Sequence, residues 1–153
     1  MGEMAVAAPP PGRPAAQEAL SYVRIASIFF IIAFIIYLLL GVWGLITWFT
    51  YYAWWAPWIG WYAPLIWPIT ELILAFLALF GYFYVRSRIY MPLLSGNVHA
   101  AHSACVVGIV LGFIFGLVIA GILLILAYMK LGEAVAAPPP APAPPPPPPP
   151  PAT

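Results

Sequence analysis

His99, His102 and Cys105 are the residues whose types and spacing best suit metal chemistry. They form an H-x-x-H-x-x-C motif that contains both histidines and the one cysteine of the chain. Imidazole and thiolate together suit copper or zinc. On one helix, the outer pair of the motif lies about 9 Å apart along the axis, so a single helix presents two ligands well and three poorly. We therefore interpret the motif as a polar helix entrance among lipid headgroups, with a metal site as the alternative, and expect no cofactor.

Glu71 is the second candidate for chemistry, because it is the only formal charge between Arg24 and Arg86. Ionisable groups within membrane spans are candidates for proton or cation handling. A carboxylate can also lie in the membrane interface, near the positive end of a helix that begins around Pro68. We favour the interfacial interpretation and keep the proton or cation site as the alternative.

Signatures of common enzyme classes are absent from the sequence. It contains no G-x-x-x-x-G-K, G-x-S-x-G or H-E-x-x-H, and no neighbouring carboxylates that would divide acid and base roles. Ser103 is adjacent to His102, but adjacent residues on a helix point about 100° apart. We expect that the protein is not an enzyme.

Composition places these residues in a membrane protein. Hydrophobic residues make up 65% of the chain and charged residues 6%, with a mean hydropathy of +1.01. A soluble domain averages about 25% charged residues, so this chain has too few charges to cover a surface in water. The net charge of +1 gives no footprint for nucleic acid. The expected fold is an all-α integral membrane protein, with the lipid bilayer as its principal partner.

The apolar runs predict three transmembrane helices of roughly 20 residues or more between disordered, Pro-rich termini. The predicted order is a Pro/Ala-rich N-terminus (1–21), the first transmembrane helix (22–50), a Trp/Tyr-rich interfacial loop (51–64), the second helix (65–85), a basic polar loop (86–103), a Gly-rich third helix (104–130) and a polyproline tail (131–153).

All seven tryptophans lie between Trp43 and Trp67, in a stretch that also holds tyrosines. These side chains have an apolar body and a polar edge, so they settle where acyl chains give way to headgroups. The stretch is typical of the turn of a membrane hairpin. The expected interfacial anchors are Trp54, Trp55, Trp58, Trp61 and Trp67.

Gly108, Gly112 and Gly116 form two overlapping G-x-x-x-G frames on one stripe of the third predicted helix. Glycine permits close backbone approach, and close packing drives helix association in lipid. The pattern therefore predicts a helix-packing interface. Packing against a partner subunit and internal packing against the first two spans are both open from the sequence.

Basic residues predict the orientation in a multi-pass cell-membrane protein. Arg24, Arg86 and Arg88 lie on the face opposite the Trp-rich loop, so the positive-inside rule puts the N-terminus in the cytoplasm. Three spans then carry the Pro-rich tail to the extracytoplasmic side, as an extended polyproline II spacer. Lys130, at the outer end of the third predicted span, weakens this prediction.

The glycine-rich run from Gly108 to Gly116, followed by the apolar run from Gly121 to Leu131, resembles the closing span of small multi-spanning membrane proteins of uncharacterised function in archaea and some bacteria. The Pro-rich ends are similar in style to those of thermophilic archaeal membrane proteins. The resemblance implies a helical membrane protein and supplies no catalytic residue.

These observations predict a small structural or accessory membrane protein. We expect it to be a subunit of a membrane complex or a homo-oligomer that packs through the Gly108, Gly112 and Gly116 face. The alternative is an oligomeric transporter or channel component in which Glu71 handles protons or cations.

Overall fold

A computed structural model describes residues 14–52 and 63–136. Within these ranges the chain is helical apart from turns at 95–97 and 116–118, and no strand occurs there. The elements are α1 (Pro14–Thr47) with a π-helical turn (Trp48–Tyr52), α2 (Ala63–Val85) with a π-helical turn (Arg86–Tyr90), α3 (Met91–Leu94), α4 (Val98–Phe115) and α5 (Ile119–Ala136). The all-α class is confirmed for this part of the chain.

Four helical segments are long and apolar enough to cross a membrane, which is compatible with a multi-pass membrane protein. They are Pro14–Tyr51, Leu65–Leu94, Val98–Phe115 and Ile119–Ala136. The expectation of three spans is not confirmed, because the predicted third span (104–130) is divided into α4 and α5 by a turn.

The turn between α4 and α5 is made by Leu117 and Val118, whose φ angles are 59° and 62°. Left-handed backbone is uncommon for residues with side chains, above all for β-branched ones, so the sequence does not signal this turn. Small residues on both sides of it allow the two helices to meet. A Cβ at Gly112 would lie 2.6 Å from the backbone nitrogen of Gly121. This close contact is why two antiparallel helices replace one long one.

Both predicted terminal segments are partly helical. Helix α1 begins at Pro14, inside the predicted disordered region (1–21), and α5 continues to Ala136, inside the predicted tail (131–153). Proline suits the first turn of a helix, and the alanines after it are strong helix formers. Ala19 is fully buried in the same hydrophobic core as the end of α5. Packing of the two ends thus extends both helices.

The predicted polar loop (86–103) is also mostly helical. Ile89 and Leu93 are buried one turn apart, so packing continues α2 through its basic residues. We call the resulting continuous segment, Leu65–Leu94, the second helix. Gly96, at a φ of 80°, ends α3 in a left-handed position that glycine adopts without strain. The Asn97 side chain then accepts a hydrogen bond of 3.1 Å from a backbone amide in the first turn of α4.

The helices are arranged around one core. Helix α1 packs mainly against α2 and α5, and α4 packs against α5 and α2. The largest fully buried side chains of the core include Phe30, Ile89, Leu124 and Leu131. Large apolar side chains on all four long helices point outward, which suits a fold that is solvated by lipid.

The two ends of the described chain lie at the same end of the bundle. Lys130, near the end of α5, forms an ion pair of 3.4 Å with Glu18, near the start of α1. Both arginines of the second helix and Arg24 lie toward this end, which we call the charged end. The turn at residues 116–118 points away from it.

The α4–α5 hairpin is about half as long as the α1–α2 hairpin. Each of its helices has 18 residues, or about 27 Å, whereas the 34 residues of α1 span about 51 Å. A Cβ at Gly108 would contact Ile89, and one at Gly81 would contact Phe30. The number of residues from Gly108 to Gly116 equals the number from Ile89 back to Gly81. Since Gly108 lies beside Ile89 and Gly81 beside Phe30, the 116–118 turn lies at the same height in the bundle as Phe30. Beyond that level, α1 and α2 continue as a pair, and we call residues 34–52 and 63–77 the distal half.

Candidate functional site

Glu71 lies in the distal half, on α2. The next residue, Leu72, packs against Gly41 of α1, where an added Cβ would meet the Leu72 side chain. Glu71 therefore lies at a height where α1 and α2 are in contact. Glu71 is partly buried, and its Oε2 atom is enclosed without a hydrogen-bond partner among the described residues. Helix α2 begins at Ala63, so Glu71 is about 12 Å inside the helix and not in its first turn. The interfacial interpretation placed it closer to a helix end.

Trp48 is the other side chain with a buried polar atom that lacks a partner in the described part of the chain. It belongs to the π-helical turn after α1, where its ring packs edge-on against Phe49 with centroids 4.9 Å apart. An unpaired indole N–H and an unpaired carboxylate oxygen in one apolar half of the fold are costly, since neither is compensated by a hydrogen bond. Within the described ranges, the buried polar atoms that lack a partner therefore both lie in the distal half.

His99, His102 and Cys105 occupy three different environments at the start of α4. His99 is exposed, His102 stacks on Tyr128 of α5 with ring centroids 4.2 Å apart, and Cys105 is buried in the core. No group of three or more potential metal-binding side chains occurs within residues 14–52 and 63–136. In this arrangement the motif packs α4 against its neighbours and does not converge on a common point.

The three glycines of the G-x-x-x-G frames are buried inside the chain. A Cβ at Gly108 would lie 2.8 Å from Ile89, one at Gly112 would strike the backbone of Gly121, and one at Gly116 would lie 2.6 Å from Ala120. The face that the sequence offers to a partner subunit is therefore covered by α5 and the second helix of the same chain.

Trp67 is the one predicted aromatic anchor among the described residues. It lies near the start of α2 and is 65% exposed, as expected for a side chain that faces lipid or the interface. The other predicted anchors, Trp54, Trp55, Trp58 and Trp61, lie outside the described residues.

A groove between Arg24 of α1 and Arg86 of the second helix was missed by the sequence analysis. The two arginines are far apart in the sequence, and only the antiparallel register of α1 and α2 brings them to one cavity. The available signal was that Arg24 directly precedes the first apolar run and Arg86 directly follows the second, because an antiparallel pair of helices brings these two positions to one end. Two guanidinium groups beside an apolar wall can bind a phosphate or carboxylate.

Lys130 has a different role at the charged end. Its Nζ atom lies 3.0 Å from Glu133 and 3.4 Å from Glu18, so it is shared between two carboxylates. The pairs are substantially exposed, so they fasten the ends of α1 and α5 together only weakly.

In comparisons with protein-family models, with curated proteins and with solved structures, this chain matches none.

Proposed function

We propose that this protein is a small structural or accessory subunit of a membrane assembly, without catalytic activity of its own. The observation that carries the proposal is the distal half, where α1 and α2 extend as a pair beyond the α4–α5 hairpin. Large apolar side chains there are exposed on both helices, among them Leu39, Trp43, Ile66 and Phe76. A second copy or another membrane subunit that packs there would gain close helix contacts in lipid. The assembly surface in this proposal is the distal half and not the glycine face.

The test is extraction from native membranes in mild detergent, followed by a native gel and mass spectrometry of the band. Co-migration with stoichiometric subunits would identify the complex whose function this chain supports. A band that contains several copies of this chain alone would support self-assembly. A monomeric band in every mild detergent would contradict the proposal.

Both described ends lie on the cytoplasmic side in this proposal. The sequence favoured an extracytoplasmic tail because it gave three spans, but four apolar helices return the chain to the side on which it started. Lys130 then joins Arg24, Arg86 and Arg88 at one end of the bundle, and the positive-inside rule no longer has an exception.

Single cysteines at Glu18 and Glu133, each in a Cys105→Ala background, are expected to react with a membrane-impermeant maleimide from the same side of sealed vesicles. A cysteine at Thr50, at the far end of α1, serves as the control and is expected to react from the opposite side. Labelling of the Glu18 and Glu133 positions from opposite sides would contradict this proposal and support a topology with an odd number of spans.

The second candidate function is an oligomeric transporter or channel component that handles protons or cations at Glu71. It is favoured by the enclosed Oε2 atom, which has no partner within the described ranges. Ionisable groups within membrane spans are candidates for proton or cation handling, and Glu71 is such a group in the second span. One chain of four helices is too small to enclose a pathway around it, so this function requires several copies.

Glu71→Gln is expected to lower proton or cation flux at least about tenfold in proteoliposomes, since it removes the titratable group and keeps the shape. Glu133→Gln removes an exposed carboxylate at the charged end and is the matched control, with flux unchanged. Flux that survives Glu71→Gln would eliminate the transport hypothesis.

A further inference from the structure

A lateral groove runs between the first turns of the apolar part of α1 and the end of the second helix. Its volume is about 360 Å³, and its polar lining comes from Arg24, Ser27, Tyr82, Arg86 and Tyr90. The groove is open to the side of the bundle, where lipid would lie, and the polar groups are at the charged end. It therefore meets the membrane at the depth where headgroups are found.

The two arginines of the groove have no carboxylate partner among the described residues. Every ion pair among residues 14–52 and 63–136 involves Lys130, and neither Arg24 nor Arg86 takes part in one. Both side chains are exposed, so their positive charges are available to a ligand. Two uncompensated guanidinium groups in one groove favour an anion over a neutral or zwitterionic group.

Tyr82 holds one of these guanidinium groups in place. Arg86 donates a hydrogen bond of 2.7 Å from Nη1 to the Tyr82 hydroxyl, and its guanidinium carbon lies 6.0 Å from the centroid of that ring. The contact uses one of the five N–H donors of arginine and leaves the others for a ligand. Fixing the side chain in advance reduces the conformational entropy that binding would otherwise cost.

The wall of the groove changes from polar to apolar along α1. Ile28 and Ile31 follow Arg24 at intervals that keep them in the groove, and they lie further from the charged end. Both are exposed to the surroundings of the bundle, at 49% and 37%. A ligand that fits this wall carries an anionic group at one end and a hydrocarbon chain next to it.

We propose that this groove is a binding site for the headgroup of an anionic phospholipid from the surrounding bilayer. The phosphate lies between Arg24 and Arg86 and accepts hydrogen bonds from their guanidinium groups. The start of one acyl chain packs along Ile28 and Ile31. Because the groove joins α1 to the second helix, a bound lipid also links these two helices at the charged end.

The experiment is native mass spectrometry of the protein in a neutral detergent, with phosphatidylglycerol added stepwise. Arg24→Gln and Arg86→Gln are each expected to weaken the one-lipid adduct about fivefold, and the double variant about 25-fold, from the usual contribution of one basic residue to anionic lipid binding. The double variant Arg24→Lys/Arg86→Lys keeps the charge and is expected to retain most of the binding.

Arg88→Gln is the matched control. It removes one positive charge two residues from Arg86, but Arg88 lines a separate groove with Tyr84 and Ser103 on the α4 side. No charged bilayer surface is present in neutral detergent, so Arg88 affects binding only if the lipid touches it. We expect a change of less than about twofold.

Three results would overturn the proposal. The first is an adduct with phosphatidylcholine as tight as that with phosphatidylglycerol, which would show that no anion is recognised. The second is a double glutamine variant that has an unchanged melting temperature and binds phosphatidylglycerol as well as the wild type. The third is complete displacement of the lipid by inorganic phosphate at millimolar concentration, which would assign the groove to a free anion.

Discussion

Phe30→Ala is expected to lower the free energy of unfolding by about 2–3 kcal/mol. Phe30 is the largest fully buried side chain among the described residues. It fills the space next to Gly81 of α2, at the level where the 116–118 turn closes the four-helix part. The same change costs about 3–5 kcal/mol in a water-soluble core. The smaller figure applies in lipid, where removal from water contributes little and the loss comes from the cavity.

Phe80→Ala provides the control for this experiment. Phe80 precedes Gly81 on α2, so it lies at nearly the same height, but its side chain is 58% exposed and faces lipid. Lipid chains fill the space that the substitution opens, and we expect a change of less than about 0.5 kcal/mol. The measurement is reversible unfolding in mixed micelles with increasing SDS. Equal effects of the two substitutions would mean that Phe30 also faces lipid and that α1 is rotated from the position described.

Gly112→Ala is expected to destabilise the protein by about 1–3 kcal/mol, although alanine is the better helix former. The added Cβ would lie 2.6 Å from the nitrogen and 2.7 Å from the Cα of Gly121. These are backbone atoms, so no side-chain rotation relieves the clash. The tight turn at Leu117 and Val118 joins the helices a few residues away and prevents them from separating without distortion.

Gly132→Ala is the matched control for Gly112→Ala. The nearest atom to a Cβ at Gly132 is Nε2 of His102, at 3.7 Å, which is an ordinary contact. Without a clash, the gain in helix propensity predicts a protein that is unchanged or up to about 1 kcal/mol more stable. Two measurements are needed: thermal unfolding monitored by tryptophan fluorescence, and a native gel. Together they distinguish a loss of stability from the loss of an oligomer. A Gly112→Ala protein that melts normally but loses an oligomer would place the glycine face between subunits after all.

The helical class and the position of the first helix were predictable from composition and hydropathy. The run from Ile25 to Phe49 carries no formal charge, so it lies in lipid, where a single helix satisfies its own backbone. The start at Pro14 was not predicted, because it depends on the burial of Ala19 against the end of α5.

The division of the third predicted span could have been suspected from its glycines. Gly108 and Gly112 lie before the turn, Gly116 is its first residue and Gly121 follows it, so small residues flank a central point as a tight antiparallel hairpin requires. The turn residues themselves, Leu117 and Val118, are apolar and give no signal. The stripe was recognised as a packing face, but its partner inside the chain was not.

The candidate sites depended on tertiary structure to different degrees. Glu71 was identified from charge alone, because a single acid in a long apolar stretch is conspicuous. The groove between Arg24 and Arg86 required the register of α1 and α2, which is fixed by contacts such as Phe30 with Gly81. The motif of His99, His102 and Cys105 followed a ligand-like spacing, but helix rotation and the stacking of His102 on Tyr128 separate its members.

The unequal lengths of the two hairpins give the described part of the molecule a tapered shape. It is four helices wide from the charged end to the 116–118 turn and two helices wide beyond it. The protein therefore has about twice the lateral area on the charged-end side of that turn as beyond it, if each helix takes a cylinder of about 10 Å. Such a wedge takes up more area toward the leaflet at the charged end, so its distribution would depend on the curvature of the membrane.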